Sequence, residues 1–227
     1  MTFTRYAIYF SPPTDAPWAQ FATSWLGWDM ARGVEVTHPV AEGIDVSAVT
    51  DVPRKYGLHA TMKPPFHLRQ GQTLSELQSA CEVLASRLTP IRLDGLEVAR
   101  LGRFVALRPI GDLSELNNLA AACVQELDEF RHPPSASELD RRRAAGLTPK
   151  QDQNLLKWGY PYVLDEFRFH ITLSGKLDKS ILQIVKTTLD RDLAPMLPVP
   201  FQINDLTLVG EAEDGRFHLI HRYALTD

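Results

Sequence analysis

The feature that most restricts this chain is a repetition. Leu58-His-Ala-Thr-Met62 and Phe169-His-Ile-Thr-Leu173 share the order apolar–His–apolar–Thr–apolar, and His170 follows His59 by 111 residues. Alternation of this kind is the pattern of a β-strand with one buried face. His59 and Thr61 then project to one side, and Leu58, Ala60 and Met62 to the other. His170 and Thr172 likewise project opposite Phe169, Ile171 and Leu173. The surroundings repeat too. Asp94-Gly-Leu96 corresponds to Asn204-Asp-Leu206 at an offset of 110, and Gly102-Arg-Phe104 returns as Gly215-Arg-Phe217 at 113. Each half reads His-x-Thr strand, helix, strand, turn, strand. A twofold repeat of this length is no solenoid. It predicts a single α+β unit over 1–227: a bilobal, pseudo-twofold arrangement of two antiparallel sheets backed by helices, with a central cleft. The lobes carry the 53–110 and 165–227 repeats, and the two His-x-Thr strands turn their polar faces toward each other near the axis.

The remaining segments read as follows. Arg5–Phe10 is a strand, and Pro17–Leu26 a helix capped by Asp15. Its Trp18, Phe21, Ala22 and Trp25 form an apolar stripe suited to core packing rather than to stacking on a cofactor. Residues 27–51 have weak periodicity and read as loop with at most short elements. Pro64-Pro65 should end the first His-x-Thr strand. Thr73–Leu88 is a helix opened by a Thr73/Glu76 capping box. Strands are expected over 91–101 and 104–109, then a helix over 113–130 capped by Asp112. Residues 131–162 are charged and helix-prone, with Ser137 and Thr148 as caps. They read either as a helical linker or as a lid bringing Lys150, Lys157 or an Arg to an anion. Asp178 should cap a helix reaching Leu193, with strands at 201–209 and 216–224.

Composition narrows the function. The formal net charge of −4 argues against long nucleic acid as a partner, while leaving room for a local anion pocket. Two cysteines, Cys81 and Cys123, offer neither a disulfide framework nor zinc spacing. No apolar run approaches the roughly 20 residues of a membrane span, and the N-terminus lacks a signal-peptide core. The expectation is a cytoplasmic monomer with no membrane partner and no cofactor.

Two histidines divide acid–base work naturally, one neutral as general base and one protonated as general acid. That division suits a phosphodiester, where a nucleophile loses a proton and a leaving alkoxide gains one. Thr61 and Thr172 can donate to non-bridging phosphoryl oxygens. Without an acidic cluster beside the pair, no metal is called for. By strand parity Lys63, Arg168 and Ser174 join the same faces as phosphate contacts. Tyr56 lies an odd step from His59 and joins only if Gly57 breaks the phase. A zinc site built on the two histidines is the competing reading. No Gly-x-Ser-x-Gly elbow or Walker-type glycine loop is present.

Paired His-x-Thr motifs in a pseudo-symmetric α+β chain resemble the 2H phosphoesterase superfamily. Arg54–Phe66, Arg142–Pro149 and Trp158–His170 are similar, more narrowly, to a bacterial branch associated with phosphonate-utilisation (carbon–phosphorus lyase) gene clusters. The resemblance implies a hydrolase of the cyclic phosphodiesterase type. Its substrate would be a small phosphorylated molecule, a sugar intermediate of phosphonate metabolism. His59, Thr61, His170 and Thr172 would be catalytic, with Lys63, Arg168, Tyr56 and Ser174 binding substrate. An RNA-end-processing 2′,3′-cyclic phosphodiesterase or ligase, and a non-catalytic phosphometabolite-binding protein, are the alternatives.

Overall fold

Strand β1 (Arg5–Phe10) sits inside a sheet whose other members lie far away in sequence. The computed structural model describes residues 2–226. After β1 come α1 (Pro17–Leu26), the short strands β2 (Trp28–Asp29) and β3 (Val34–Glu35), α2 (Val46–Arg54) and β4 (Ala60–Phe66). Then follow α3 (Leu74–Ala85), β5 (Ile91–Leu93), β6 (Gly95–Leu101), β7 (Phe104–Ile110), α4 (Ser114–Glu126), α5 (Ala136–Arg143) and α6 (Pro149–Trp158). The chain continues through β8 (Ile171–Thr172), α7 (Lys179–Asp192), β9 (Phe201–Ile203), β10 (Asp205–Glu211) and β11 (Phe217–Ala224). The expected α+β class is what forms: a four-stranded sheet ordered β11-β10-β1-β4 and a three-stranded sheet ordered β6-β7-β8, all pairs antiparallel.

The lobes are not the two contiguous repeats. Sheet β10-β1-β4 matches sheet β6-β7-β8 position for position, with β11 added at one edge. The matching halves are therefore β1 through β6 and β7 through β10, and each sheet takes one strand from the other half. The recurring Gly-Arg-Phe precedes β7 and β11, yet β7 is central in its sheet and β11 is an edge. Strands β5 and β9 pair with each other, Ile91 with Ile203 and Leu93 with Phe201, as expected across a local twofold. Helix α3 packs on β10 and β11, and α7 on β6 and β7. The main core is continuous across both sheets, running through Ile8, Phe10, Trp25, Met62, Leu77, Leu107, Ile171, Val185 and Phe201. A second cluster of Ala7, Tyr9, Trp28, Met30, Val209 and Phe217 covers the opposite face of the four-stranded sheet.

Several local expectations are corrected. Residues 27–51 are not all loop, because Asp45 accepts a hydrogen bond from Ala48 N–H and opens α2. Pro64 and Pro65 lie within β4 rather than ending it, which an edge strand tolerates because its outward N–H groups need no partner. Ser135 rather than Ser137 caps α5, while Thr148 and Thr73 cap α6 and α3 with full capping boxes. Neither Ala16, at the start of α1, nor Asp178, at the start of α7, makes a side-chain cap. Trp18 and Trp25 are core residues, and Trp25 Nε1 donates to the carbonyl of Leu173 at 2.8 Å, tying α1 to the second His-x-Thr segment. Cys81 and Cys123 are buried free thiols. Among the described residues, no helix is long and apolar enough to cross a membrane.

Candidate active site

Strands β4 and β8 are the edges at which the two sheets meet, and they contact each other. Each histidine stands one residue before its strand. His59 Nδ1 reaches the carbonyl of Gly57 at 3.0 Å, and His170 Nδ1 reaches the carbonyl of Arg168 at 2.7 Å. A carbonyl can only accept, so each Nδ1 carries the hydrogen and donates it. Each Nε2 is then left with a lone pair when the ring is neutral. Thr61 and Thr172 follow two residues on, half-buried, and no side-chain hydrogen bond among the described residues engages either hydroxyl. The four residues that strand parity singles out thus occupy equivalent places in the two sheets.

The two histidines differ in their surroundings. Register pairs Thr61 with Tyr9 on β1, but Thr172 with Ala106 on β7. The Tyr9 ring lies flat on His59, centroids 4.0 Å apart and planes 28° apart. Tyr56 flanks the same imidazole at 5.8 Å and stacks on Phe217 at 5.2 Å. Burial, with a smaller push from the charge of His170, lowers the pKa of His59 to about 4 against the pull of the Gly57 carbonyl. Near His170 the aromatic neighbour is Phe104, tilted at 5.7 Å.

Gly57 accounts for Tyr56. Its φ of +69° breaks the alternation, and a Cβ there would come within 2.9 Å of Met30. Tyr56 is thereby brought to the side of His59 that strict parity denies it. Lys63 goes the other way. Tyr9 pairs with Thr61 but Ile8 with Lys63, so Met62 is the extra residue of a β-bulge and the phase slips by one. The Lys63 side chain is buried, donating to the carbonyl of Val124 at 2.9 Å near the end of α4 and to Asp128 Oδ1 at 3.4 Å. Burial lowers its pKa to about 8 although Asp128 opposes the shift. Lys63 is therefore a structural cation and not a phosphate contact.

Ser174 is also structural. It is buried, its Oγ accepts from Val105 N–H at 3.0 Å, which extends the β7–β8 pairing, and donates to the neighbouring carbonyl of Gly175 at 3.0 Å. Arg168 is exposed, and its guanidinium folds back to the carbonyls of Asp165 and Phe167. What it gives the site is the backbone carbonyl that holds His170. Lys150 pairs with exposed Asp165 at 2.6 Å, and Lys157 lies over Trp158.

Within residues 131–162 the loop around Tyr160 is held by both helices. Asn154 on α6 donates to the carbonyls of Pro161 and Val163 and so fixes the loop that carries Tyr160. Burial raises the pKa of Tyr160, and Tyr56 is among its electrostatic neighbours. Arg142 of α5 lies over the Tyr160 ring at 4.9 Å and pairs with Glu138. Tyr9 is signalled by no motif, and only the register of β1 on β4 brings it to His59. An open groove of about 540 Å³ lined by Trp28, Glu35, Arg216 and His218 includes neither His59 nor His170, and chemistry rather than volume picks out the seam. No group of three or more His, Cys, Asp or Glu among the described residues is arranged to hold a metal ion.

Comparison with known proteins gives this arrangement a family. The family described as "Protein of unknown function (DUF1045)" matches residues 61–218. The chain belongs to the DUF1045 family. This DUF1045 protein is 37% identical over 221 residues to a protein of Janthinobacterium sp. (strain Marseille) named ribose 1,5-bisphosphate phosphokinase PhnN, covering 94% of this chain and 49% of the relative. A protein of the same name from Laribacter hongkongensis (strain HLHK9) is 33% identical over 176 residues, covering 77% of this chain and 41% of the relative. The chain thus spans about half the length of the curated relatives it matches. Among solved structures, E. coli LigT in apo form superposes with a TM-score of 0.49 at 17% identity over the whole of both chains. TT0787 of Thermus thermophilus does so with a TM-score of 0.42 at 17% identity over 97% of each chain.

Proposed function

We propose that this DUF1045 protein is a metal-independent phosphoesterase. Its substrate is a cyclic phosphate or a related small phosphodiester, a phosphorylated sugar intermediate of phosphonate metabolism. One observation carries the reading: two imidazoles stand at equivalent strand entrances, each with Nδ1 tied to the carbonyl two residues back. A hydroxyl follows each of them two residues later. In hydrolysis, a neutral imidazole Nε2 takes a proton from water as its oxygen bonds to phosphorus. The ring P–O bond breaks, and the imidazolium of the second histidine returns a proton to the leaving alkoxide. Thr61 and Thr172 hold the non-bridging oxygens, each hydrogen bond to the charged group contributing on the order of 1.5–3 kcal/mol.

The names of the two curated relatives speak of a phosphokinase, not an esterase. Both relatives are about twice as long as the matched region, and no Gly-x-x-x-x-Gly-Lys loop occurs in this chain. We therefore assign the named kinase activity to the unmatched half of those proteins. The region shared with this chain is assigned a separate step on a phosphorylated ribose. Phosphorus NMR tests the proposal: incubation with cyclic ribosyl phosphates and nucleoside 2′,3′-cyclic phosphates should replace a cyclic-ester resonance by a monoester one. Turnover confined to oligonucleotide ends would favour RNA processing. Tight binding with no turnover across the panel would make the protein a phosphometabolite binder.

A further inference from the structure

The repeat supplies two histidines with the same backbone support, yet a proton acceptor and a proton donor must differ. The residue paired with each threonine differs between the sheets: Tyr9 beside Thr61, Ala106 beside Thr172. Tyr9 is fully buried at the centre of the cluster facing His59, with its ring 4.0 Å from the imidazole. We infer that Tyr9 is the positioning residue that separates the roles of the two histidines, making His59 the proton acceptor and His170 the proton donor. The inference rests on the phosphoesterase reading for the words acceptor and donor, but not for the asymmetry itself.

The physical argument is solvation. A flat aromatic face on one side and Tyr56 on another remove water from His59, and a desolvated imidazole disfavours its charged form. Ala106 offers no such face at the corresponding place. The charged and titratable groups facing His59 are His170 from before β8, Tyr9 from β1 and Tyr56 from the α2–β4 turn. Behind them, Arg5, Glu211 and Tyr160 act on Tyr9, and Lys55 lies over Tyr56. The Arg5–Glu211 pair, at 2.7 Å, is internally neutral, so no net charge beside Tyr9 opposes the desolvation.

Nitrogen-15 NMR of the imidazoles, titrated in the full chain without substrate, provides the test. His59 should titrate at least about one unit below the ordinary imidazole value in the unmodified protein. Tyr9→Ala, which admits water, should raise His59 by about a unit and leave His170 in place, whereas Tyr9→Phe should move neither. Should Tyr9→Ala fail to fold, Tyr56→Ala, on the more exposed flank, should move His59 in the same direction. An ordinary imidazole titration of His59 in the unmodified protein, or a His59 titration unmoved in folded Tyr9→Ala, would overturn the inference. Because no turnover is read, that failure is separate from failure of the phosphoesterase proposal.

Discussion

His59 and His170 hold their rings in the same way, each donating from Nδ1 to the carbonyl two residues earlier. Neither bond involves a second side chain, so replacing one imidazole leaves the other's support intact. His59→Ala and His170→Ala are each expected to lower turnover of a cyclic phosphate by about 10²–10⁴-fold with the fold preserved. Full activity in both variants, checked beside their circular dichroism, would remove the acid–base role. If the proposed turnover is observed, chelator should leave its rate unchanged, while loss reversed by zinc would restore the competing metal site.

Thr61 and Thr172 keep their hydroxyls free of described protein partners. Thr→Val at either position preserves shape on a half-buried strand edge and removes one donor to the phosphate. The expected loss in kcat/KM is about 10–100-fold for each, following the 1.5–3 kcal/mol of a charge-assisted hydrogen bond. Thermal stability should hardly change. A large drop in Tm with unaltered kinetics would mean the hydroxyls serve the fold.

Lys63 sets a pH-dependent stability rather than activity. Its folded pKa of about 8 lies below its ordinary 10.5, so between these values the unfolded chain binds a proton that the folded one does not. Stability should therefore rise with pH from about 8 to 10 on this account. Lys63→Met should flatten that rise in urea titrations and leave catalysis intact. A catalytic defect in a stably folded Lys63→Met would return the lysine to the site.

His59 predicts the acid side by the same relation. With its pKa lowered from 6.5 to about 4, the unfolded chain takes up the proton first as pH falls. Stability is lost progressively between about pH 6.5 and 4, by roughly 3 kcal/mol at most. His59→Asn should blunt this loss, and identical acid-unfolding profiles for the variant and the unmodified protein would count against it.

Ser174→Ala should destabilise by about 1–3 kcal/mol, because Val105 N–H is left buried without its acceptor. Kinetic parameters of the proposed turnover should stay close to those of the unmodified protein. A selective rise in KM at unchanged Tm would instead make Ser174 a substrate contact.

The sequence made the paired motifs, the long helices and the α+β class readable because each has a short-range period: two for the strands, three to four for α3 and α4. It misled at Lys63, which the Met62 bulge turned inward, while the break of phase that Tyr56 required is supplied by Gly57. Helix α2 escaped notice because its buried face is made of Val46, Val49, Thr50 and Pro53, three of them β-branched and one a proline, all poor helix formers. Tyr9 could not be found from local pattern at all. Its place beside His59 depends on the pairing of β1 with β4, more than 50 residues away in the chain.

The exchange of strands between the two halves carries a consequence for how the protein is divided. β10 borders β1, with Ala7 opposite Val209, while β6 borders β7 of the following half. A chain cut within residues 131–148 yields two fragments, and the first holds β1 and β4 without β10. The second holds β8 without β6 and β7. Neither fragment is a lobe, and each exposes a sheet edge that only the other fragment's strands fit. The relation between the halves is that of two subunits that have traded an edge strand and been joined by a tether. The two-histidine site thus belongs to the exchange itself and to neither half alone.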